Sequence, residues 1–235
     1  MASTITAEGY PTDQQTSIRW ATAGTELLLE TVRGLSDSDL DQPSALPDWT
    51  RRYVCAHLAR NAEALERLLT WARTGVETLM YPSAEARETG IQESAAAEPS
   101  ALRADLETAC NGFLAACTAL PEDAWSATVR SRTLEIPATV VPWYRVREVW
   151  IHAADLMAGV SFNDFPVDIS SALITELTTG LSARGSVDLH LIATDTDEEW
   201  TVGSGAVRAA ARAGELAAWL TGRVTRPEAE LPAWI

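Results

Sequence analysis

Apolar side chains recur every three or four residues through most of the first 160 positions, which is the spacing of amphipathic helices. Thr50 stands where a helix N-cap is expected, and Gly75 supplies a stop at the other end of the same segment. A short capped turn is predicted at "SDSDL", residues 36–40. The pattern predicts five longer helices, over residues of about 13–33, 50–75, 83–95, 99–120 and 138–158. Together these segments predict a helical bundle.

The pattern changes after Asn163. The segment "VDISSALITELTTGLSARG" is predicted as a helix that ends at Gly185, and "SVDLHLIAT" and "EEWTVGS" alternate as two short strands do. The last segment, "GAVRAAARAGELAAWLTGR", is rich in alanine and is predicted as one amphipathic helix. We therefore expect an α+β protein that is mainly α, with a four-helix bundle over residues 1–160 and a small α+β domain over residues 161–235.

Charge narrows the range of partners. The net charge of −15 argues against nucleic acid and against anionic membrane surfaces, because both require a basic face. All 18 basic residues are arginine, so lysine Schiff-base chemistry is excluded and guanidinium is the only fixed cation for an anionic ligand. The three cysteines form no CxxC pair, and the N-terminal residues have no signal-peptide pattern. These features predict a cytoplasmic protein in a reducing compartment, by default a monomer, whose partners are small molecules.

The helix predicted at 138–158 carries an unusual polar group in "REVWIHAADL". Glu148 and His152 are four residues apart, so they differ by only about 40° around a helix, and Arg145 and Asp155 lie within about 60° of Glu148. One interpretation is a solvated, charged face. The rest of the circumference is apolar, however, and so narrow a polar strip favours a buried helix with a polar site inside a bundle.

His57 belongs to a second stripe that is predicted to face inward, with Asn61 one turn later on the same helix. Taken alone, His57 fits a satisfied core histidine better than a ligand. Together with Glu148 and His152, it completes a set of two imidazoles and one carboxylate, a common donor set for a catalytic zinc with open positions. Asp155 would orient a ligand from outside this set, and His190, on a predicted strand, is interpreted as structural.

The sequence resembles the mycothiol-dependent maleylpyruvate isomerases, members of the wider DinB-like superfamily of four-helix bundles. The segments that carry the resemblance lie in the first 160 residues, and they are "LPDWTRRYVCAHLARNAEAL", "LLTWARTGVETLMYPSAEAR" and "WYRVREVWIHAADL". The resemblance implies a DinB-like bundle whose metal ligands are His57, Glu148 and His152. It also implies a C-terminal domain, around "AAWLTGR", with a functionally required arginine that corresponds here to Arg223.

What the resemblance implies about activity is the cis-to-trans isomerisation of maleylpyruvate to fumarylpyruvate in gentisate degradation. The reaction would use a divalent metal, with zinc the first choice, and mycothiol as the thiol cosubstrate. Cys55, two positions before His57, would point away from it and is not expected to serve as the nucleophile. Arg208 and Arg212 are rivals for the role of Arg223, which could instead complement the dipole at a helix C-terminus.

Two other functions remain open at this point. A mycothiol-dependent S-transferase of the same superfamily would carry the same bundle motifs and act on another electrophile. A non-enzymatic, metal-binding regulatory module is a candidate from a different class. A structural zinc prefers four closed protein ligands, and the sequence offers no fourth, which favours an open, catalytic site.

Overall fold

The computed structural model describes residue 10 and residues 13–132, 134–185 and 187–232. The chain divides into two compact units, Met1–Val160 and Ser161–Ile235. Helices dominate the first unit, and the second combines helices with a three-stranded sheet. The predicted fold class, mainly α with a C-terminal α+β part, is confirmed.

Four long helices form the bundle of the first unit. Helix α1 packs along α6 and α3 packs along α5, while α3 also contacts α6 and the shorter α4 lies against α3. The α-helices of this unit are α1 (Gln14–Gly34), α2 (Asp37–Leu40), α3 (Arg51–Thr74), α4 (Ala84–Ala95), α5 (Pro99–Ala119) and α6 (Val141–Asp155). Their apolar stripes meet in a shared core, as the helical spacing predicted.

The ends of α3 follow the predicted local chemistry. The Thr50 hydroxyl accepts the Tyr53 backbone N–H, and Gly75 takes a left-handed conformation at φ 71° while its N–H donates to the Trp71 carbonyl. The turn at 36–40 is a capping box in which Ser36 and Asp39 bond each other's backbone. These predictions are confirmed.

A small residue lets α1 and α6 approach closely. A Cβ on Gly24 would lie 2.5 Å from side-chain atoms of Val149 and Trp150, so any larger residue would push the helices apart. The Trp150 indole N–H donates to the Trp20 carbonyl across the same contact, at 2.9 Å. Since α6 carries Glu148 and His152, this contact helps to set the depth at which they enter the bundle.

Helix α6 is shorter than the predicted span of 138–158. A 3-10 turn at Ala138–Val140 precedes it, and the backbone leaves the helical conformation at Met157, which has φ 52°. A short hairpin of β1 (Thr128–Arg130) and β2 (Glu135–Pro137), which the sequence pattern did not predict, lies just before this turn. The chain therefore enters α6 from a tight, ordered connection.

The second unit places a helix on either side of its strands in the sequence. Its elements are a 3-10 turn (Phe162–Asp164), α7 (Val167–Arg184), β3 (Leu189–Ala193), β4 (Glu199–Val202), β5 (Val207–Ala211) and α8 (Ala213–Leu220). The sheet has the order β4–β3–β5, with β4 antiparallel and β5 parallel to β3. Gly185 caps α7 in the left-handed conformation, as predicted.

The predicted single helix over 205–223 is wrong. Its first part is strand β5, whose Ala209 pairs with Leu191 of β3, and only Ala213–Leu220 is helical. Alanine favours a helix in isolation, but Ala209 and Ala211 are buried while Arg208 and Ala210 are exposed, which is a strand alternation. Pairing with β3 satisfies the backbone hydrogen bonds of this segment. Because β3 is distant in the sequence, a local pattern cannot predict this pairing.

Among the described residues, no helix is long and apolar enough to cross a bilayer.

Candidate metal centre

Helices α3 and α6 bring the three predicted ligands together. Nε2 of His57 lies 2.9 Å from Glu148 Oε2, and Nε2 of His152 lies 3.4 Å from the same oxygen. The two imidazole rings stand perpendicular, with their centroids 5.0 Å apart. One donor atom from each residue can be chosen so that all three lie within 4.8 Å of one another, which is the convergence a single cation requires.

The site is shielded on the α3 side and more open on the α6 side. The His57 side chain is 8% exposed, and those of His152 and Glu148 are 13% and 24% exposed. Glu148 and His152 share one face of α6 because they are one helical turn apart, as predicted. A small ligand can thus reach the carboxylate without any rearrangement of the bundle core.

Burial, hydrogen bonds and charge shift the pKa values of all three groups. Burial by itself would lower the pKa of His152, but hydrogen bonds to Asp155 and Glu148 outweigh it and raise that pKa to about 9. Burial lowers the pKa of His57, and the hydrogen bond to Glu148 only partly offsets this. Burial disfavours the Glu148 carboxylate, yet the two imidazoles hold its pKa well below the usual range. At neutral pH this arrangement is one carboxylate, one imidazolium and one neutral imidazole.

Asp155 orients His152 from behind. Its carboxylate accepts the Nδ1–H of His152 at 2.8 Å, and the residue is fully buried. This bond fixes the ring and directs Nε2 toward Glu148. A carboxylate behind a histidine in this way is the usual support of a metal-ligating imidazole.

Sequence reasoning missed the surroundings of His57. The guanidinium Nη2 of Arg87, on α4, lies 3.2 Å from His57 Nδ1, and the Trp49 ring packs edge-on against the imidazole at 5.4 Å between centroids. Tyr81 lies under the Arg87 guanidinium. The available signal was the stretch "MYPSAEAR", which belongs to the resemblance and ends on this arginine.

Arg145 does not lie on a charged face. Its side chain is fully buried, and its guanidinium donates to the Leu58 carbonyl, the Asn61 side-chain oxygen and the Cys110 sulfur. The helical spacing placed Arg145 near Glu148 in angle, but the packing of α3 and α5 covers it. It supports the helices that carry the ligands and is not available to an anionic ligand.

The protein's own thiols are buried. Cys55, Cys110 and Cys117 are free cysteines with at most 3% exposure. Burial raises the pKa of Cys55 and of Cys117 to about 12, so neither is a thiolate near neutral pH. Cys110 accepts a hydrogen bond from Arg145 in the core. A nucleophilic sulfur at this site would have to come from another molecule.

The other predicted residues lie in the second unit. Arg223 follows α8; its backbone N–H donates to the Ala218 carbonyl and its guanidinium donates to the Thr221 carbonyl. Such contacts are those of an arginine at a helix C-terminus. Arg208 is exposed on β5. Arg212 forms an ion pair with Asp195, at 3.6 Å between Nε and Oδ2.

His190 lies on β3 and pairs with Glu199 of β4, so it has a partner within the sheet. This agrees with its interpretation as a structural residue.

Comparisons with known proteins agree with this geometry. The family described as "Mycothiol maleylpyruvate isomerase N-terminal domain" matches residues 21–157, more than half of the chain. A crystal structure of the mycothiol-dependent maleylpyruvate isomerase is 31% identical, with a TM-score of 0.87 over 94% of this chain and 97% of that one, and a histidine-to-alanine mutant of that enzyme gives the same values. A search of curated proteins found no match. On these grounds the chain belongs to the mycothiol-dependent maleylpyruvate isomerase family.

Proposed function

We propose that this chain isomerises maleylpyruvate to fumarylpyruvate by reversible addition of mycothiol, as a step of gentisate degradation. The observation that carries the proposal is the convergence of His57, Glu148 and His152 in a member of this family. The 31% identity across nearly the whole chain extends the likeness to the second unit.

The donor set fits a divalent cation. Two imidazole nitrogens and one carboxylate oxygen would hold it, with Asp155 supporting His152. Within the described residues no fourth histidine, cysteine or acidic residue joins this group, which favours an open catalytic site over a structural or sensing one. Zinc is our first choice of metal, although nickel and iron accept the same ligands.

The reaction requires temporary loss of a carbon–carbon double bond. A thiolate adds to one alkene carbon, and the electron pair of the double bond moves into the neighbouring carbonyl to form an enolate. The new single bond rotates, the enolate collapses, and the thiolate leaves with the alkene in the trans form. When bound, the metal would supply Lewis-acid chemistry that keeps a thiol ionised near neutral pH or polarises a substrate oxygen. The buried cysteines support an external thiol as the nucleophile.

Charge matters because the substrate is a dianion and the protein has a net charge of −15. A guanidinium pairs with a carboxylate through two parallel hydrogen bonds, so arginine suits this task. We assign one carboxylate to Arg223, as the family resemblance implies. We also propose that the protein works in the cytoplasm and that it is a monomer. Size-exclusion chromatography of the purified protein tests the oligomeric state.

The direct test is incubation of the metal-loaded protein with maleylpyruvate, with and without mycothiol. We expect thiol-dependent conversion to fumarylpyruvate. Arg223→Met should abolish turnover and retain the metal, while Arg184→Met, at the exposed end of α7, should behave as the wild type.

Failure of thiol-dependent isomerisation would move the assignment to a mycothiol S-transferase. Normal turnover in Arg223→Met would move the anion-binding role to Arg208 or Arg212.

A further inference from the structure

One guanidinium group in contact with the candidate metal centre lacks an acidic partner. Among the described residues, Arg87 forms no ion pair with a carboxylate. Arg87 is half-buried on α4. Exposed arginines without an ion pair, such as Arg73 and Arg184, are hydrated, whereas Arg87 is partly buried and lies beside a predicted metal ligand.

Tyr81 lies beside Arg87. The Arg87 guanidinium carbon lies 5.9 Å from the centre of its ring. Burial and then the Glu148 charge raise the pKa of Tyr81, while the charges of Arg87 and Arg132 act in the opposite direction. Arg87 therefore contacts both Tyr81 and the predicted ligand His57, and these three side chains form one polar cluster.

The contact between Arg87 and His57 conflicts with metal binding. A guanidinium only donates hydrogen bonds, so His57 Nδ1 must accept, and the proton of a neutral ring then sits on Nε2. That nitrogen faces Glu148 and is the one that would bind the cation. When Nε2 binds a cation, the proton of the neutral imidazole moves to Nδ1, which then repels a donor. Loading of the site must therefore displace the Arg87 guanidinium from His57.

We propose that Arg87, with Tyr81 beside it, forms a subsite for a small carboxylate anion, and that metal loading releases Arg87 to occupy this role. The inference rests on the proposed function, where the anion is one carboxylate of the substrate. A dianion has two carboxylates, and one guanidinium fork pairs with only one of them. Arg87 lies in the same unit as the metal ligands and is positioned to pair with one of the two.

A purely structural role for Arg87 makes the opposite prediction about the metal. If Arg87 serves to hold His57 in place, its loss should weaken metal binding. On our proposal Arg87→Met removes a competitor for His57, so the variant binds zinc as tightly as the wild type or more tightly. Titration of metal-free protein with zinc therefore separates the two roles without any measurement of turnover.

The anion subsite is tested with maleate, a dicarboxylate, titrated by calorimetry into zinc-loaded protein without thiol so that no reaction occurs. Arg87→Met should bind maleate about tenfold to a hundredfold more weakly than the wild type, as expected for loss of a charge-assisted pair. Arg87→Lys keeps the positive charge but loses the two parallel hydrogen-bond donors, so its maleate affinity should lie between those of the wild type and Arg87→Met. Arg73→Met, at the exposed end of α3, is the matched control and should bind normally.

With maleylpyruvate as substrate, Arg87→Met should raise KM far more than it lowers kcat. Circular dichroism shows whether each variant is folded, and Arg87→Lys carries the test if Arg87→Met is not. Equal maleate affinity in the wild type and both variants, or no maleate binding by the wild type, overturns the inference. The proposed function fails separately, through absence of thiol-dependent isomerisation in the wild type, and the maleate titration stays decisive in that case.

Discussion

The two units of this chain differ in the polar groups that they bury. The described part of the first unit encloses an imidazole, an amide, a guanidinium and a carboxylate, from His57, Asn61, Arg145 and Asp155. The described part of the second unit buries no ionisable side chain; its buried polar residues are Ser170, Thr178 and Thr221. Both Thr178 and Thr221 donate to carbonyls of their own helices. Among the described residues, buried charged side chains therefore occur in the unit that holds the candidate metal centre and not in the second unit.

This difference has an energetic side. A buried charge is costly unless it is paired and hydrogen-bonded, so the first unit must satisfy each of its charges with a specific partner. Asp155 bonds His152, and Arg145 bonds the Leu58 carbonyl and Asn61. The second unit depends on apolar packing and backbone pairing instead. Mutations of polar residues should therefore act on the first unit far more strongly than on the second.

The largest effect is expected from a change of a ligand histidine. His152→Ala removes one of three donors, and the variant should lose its bound metal on purification and with it thiol-dependent turnover. His190→Ala is the matched control from the second unit, where the imidazole pairs with Glu199 on the sheet surface, and its metal content should not change. Elemental analysis of the purified proteins decides the matter. Wild-type metal content in His152→Ala would eliminate the triad as the metal site.

A smaller but clear effect is expected from the buried guanidinium. Arg145→Met leaves the Leu58 carbonyl and the Asn61 amide without their donor in the core, and should destabilise the metal-free protein by about 3 kcal/mol. Arg208→Met, on the exposed face of β5, should change stability by no more than about 0.5 kcal/mol. Urea unfolding followed by circular dichroism measures both. Similar losses in the two variants would refute the contrast between the units.

The smallest effect is a pH dependence of the metal-free protein. The pKa of His152 rises from its ordinary value of 6.5 to about 9 in the folded state. The stabilisation from this raised value is fully present below pH 6.5 and is lost as the pH rises through 9, an effect of about 2 kcal/mol once solvent screening is allowed for. The thermal midpoint should fall over this window. Asp155→Asn removes the hydrogen-bonded charge, lowers the pKa of His152 and should weaken the dependence.

Metal binding should reverse the direction in which the His152 titration changes stability with pH. A cation that binds deprotonated imidazole binds more tightly as the pH rises, so the loaded protein should gain stability over the window in which the metal-free protein loses it. Parallel curves for the two forms would mean that the cation does not use His152. The stability curves of the second unit's variant His190→Ala should follow the wild type in both forms.

Local signals were sufficient for much of the first unit. Thr50 and Gly75 marked the ends of α3 because capping depends on residues within one turn. Glu148 and His152 were paired correctly because they share one helix, whose geometry is nearly invariant. In the second unit the same kind of signal failed at β5, where alanine's helix preference was overridden by pairing with a distant strand.

The sequence by itself determined the long helices of the first unit, their inward faces, the donor types and the family resemblance, because periodicity and side-chain chemistry are properties of short stretches of chain. Only the tertiary structure decided that Arg145 is buried, that Arg87 contacts His57 and that residues 207–211 form a strand. Each of these depends on which segments meet in space. Burial and hydrogen-bond partners are set by neighbours far away in the sequence, and these neighbours determine whether an arginine supports the core or binds a ligand.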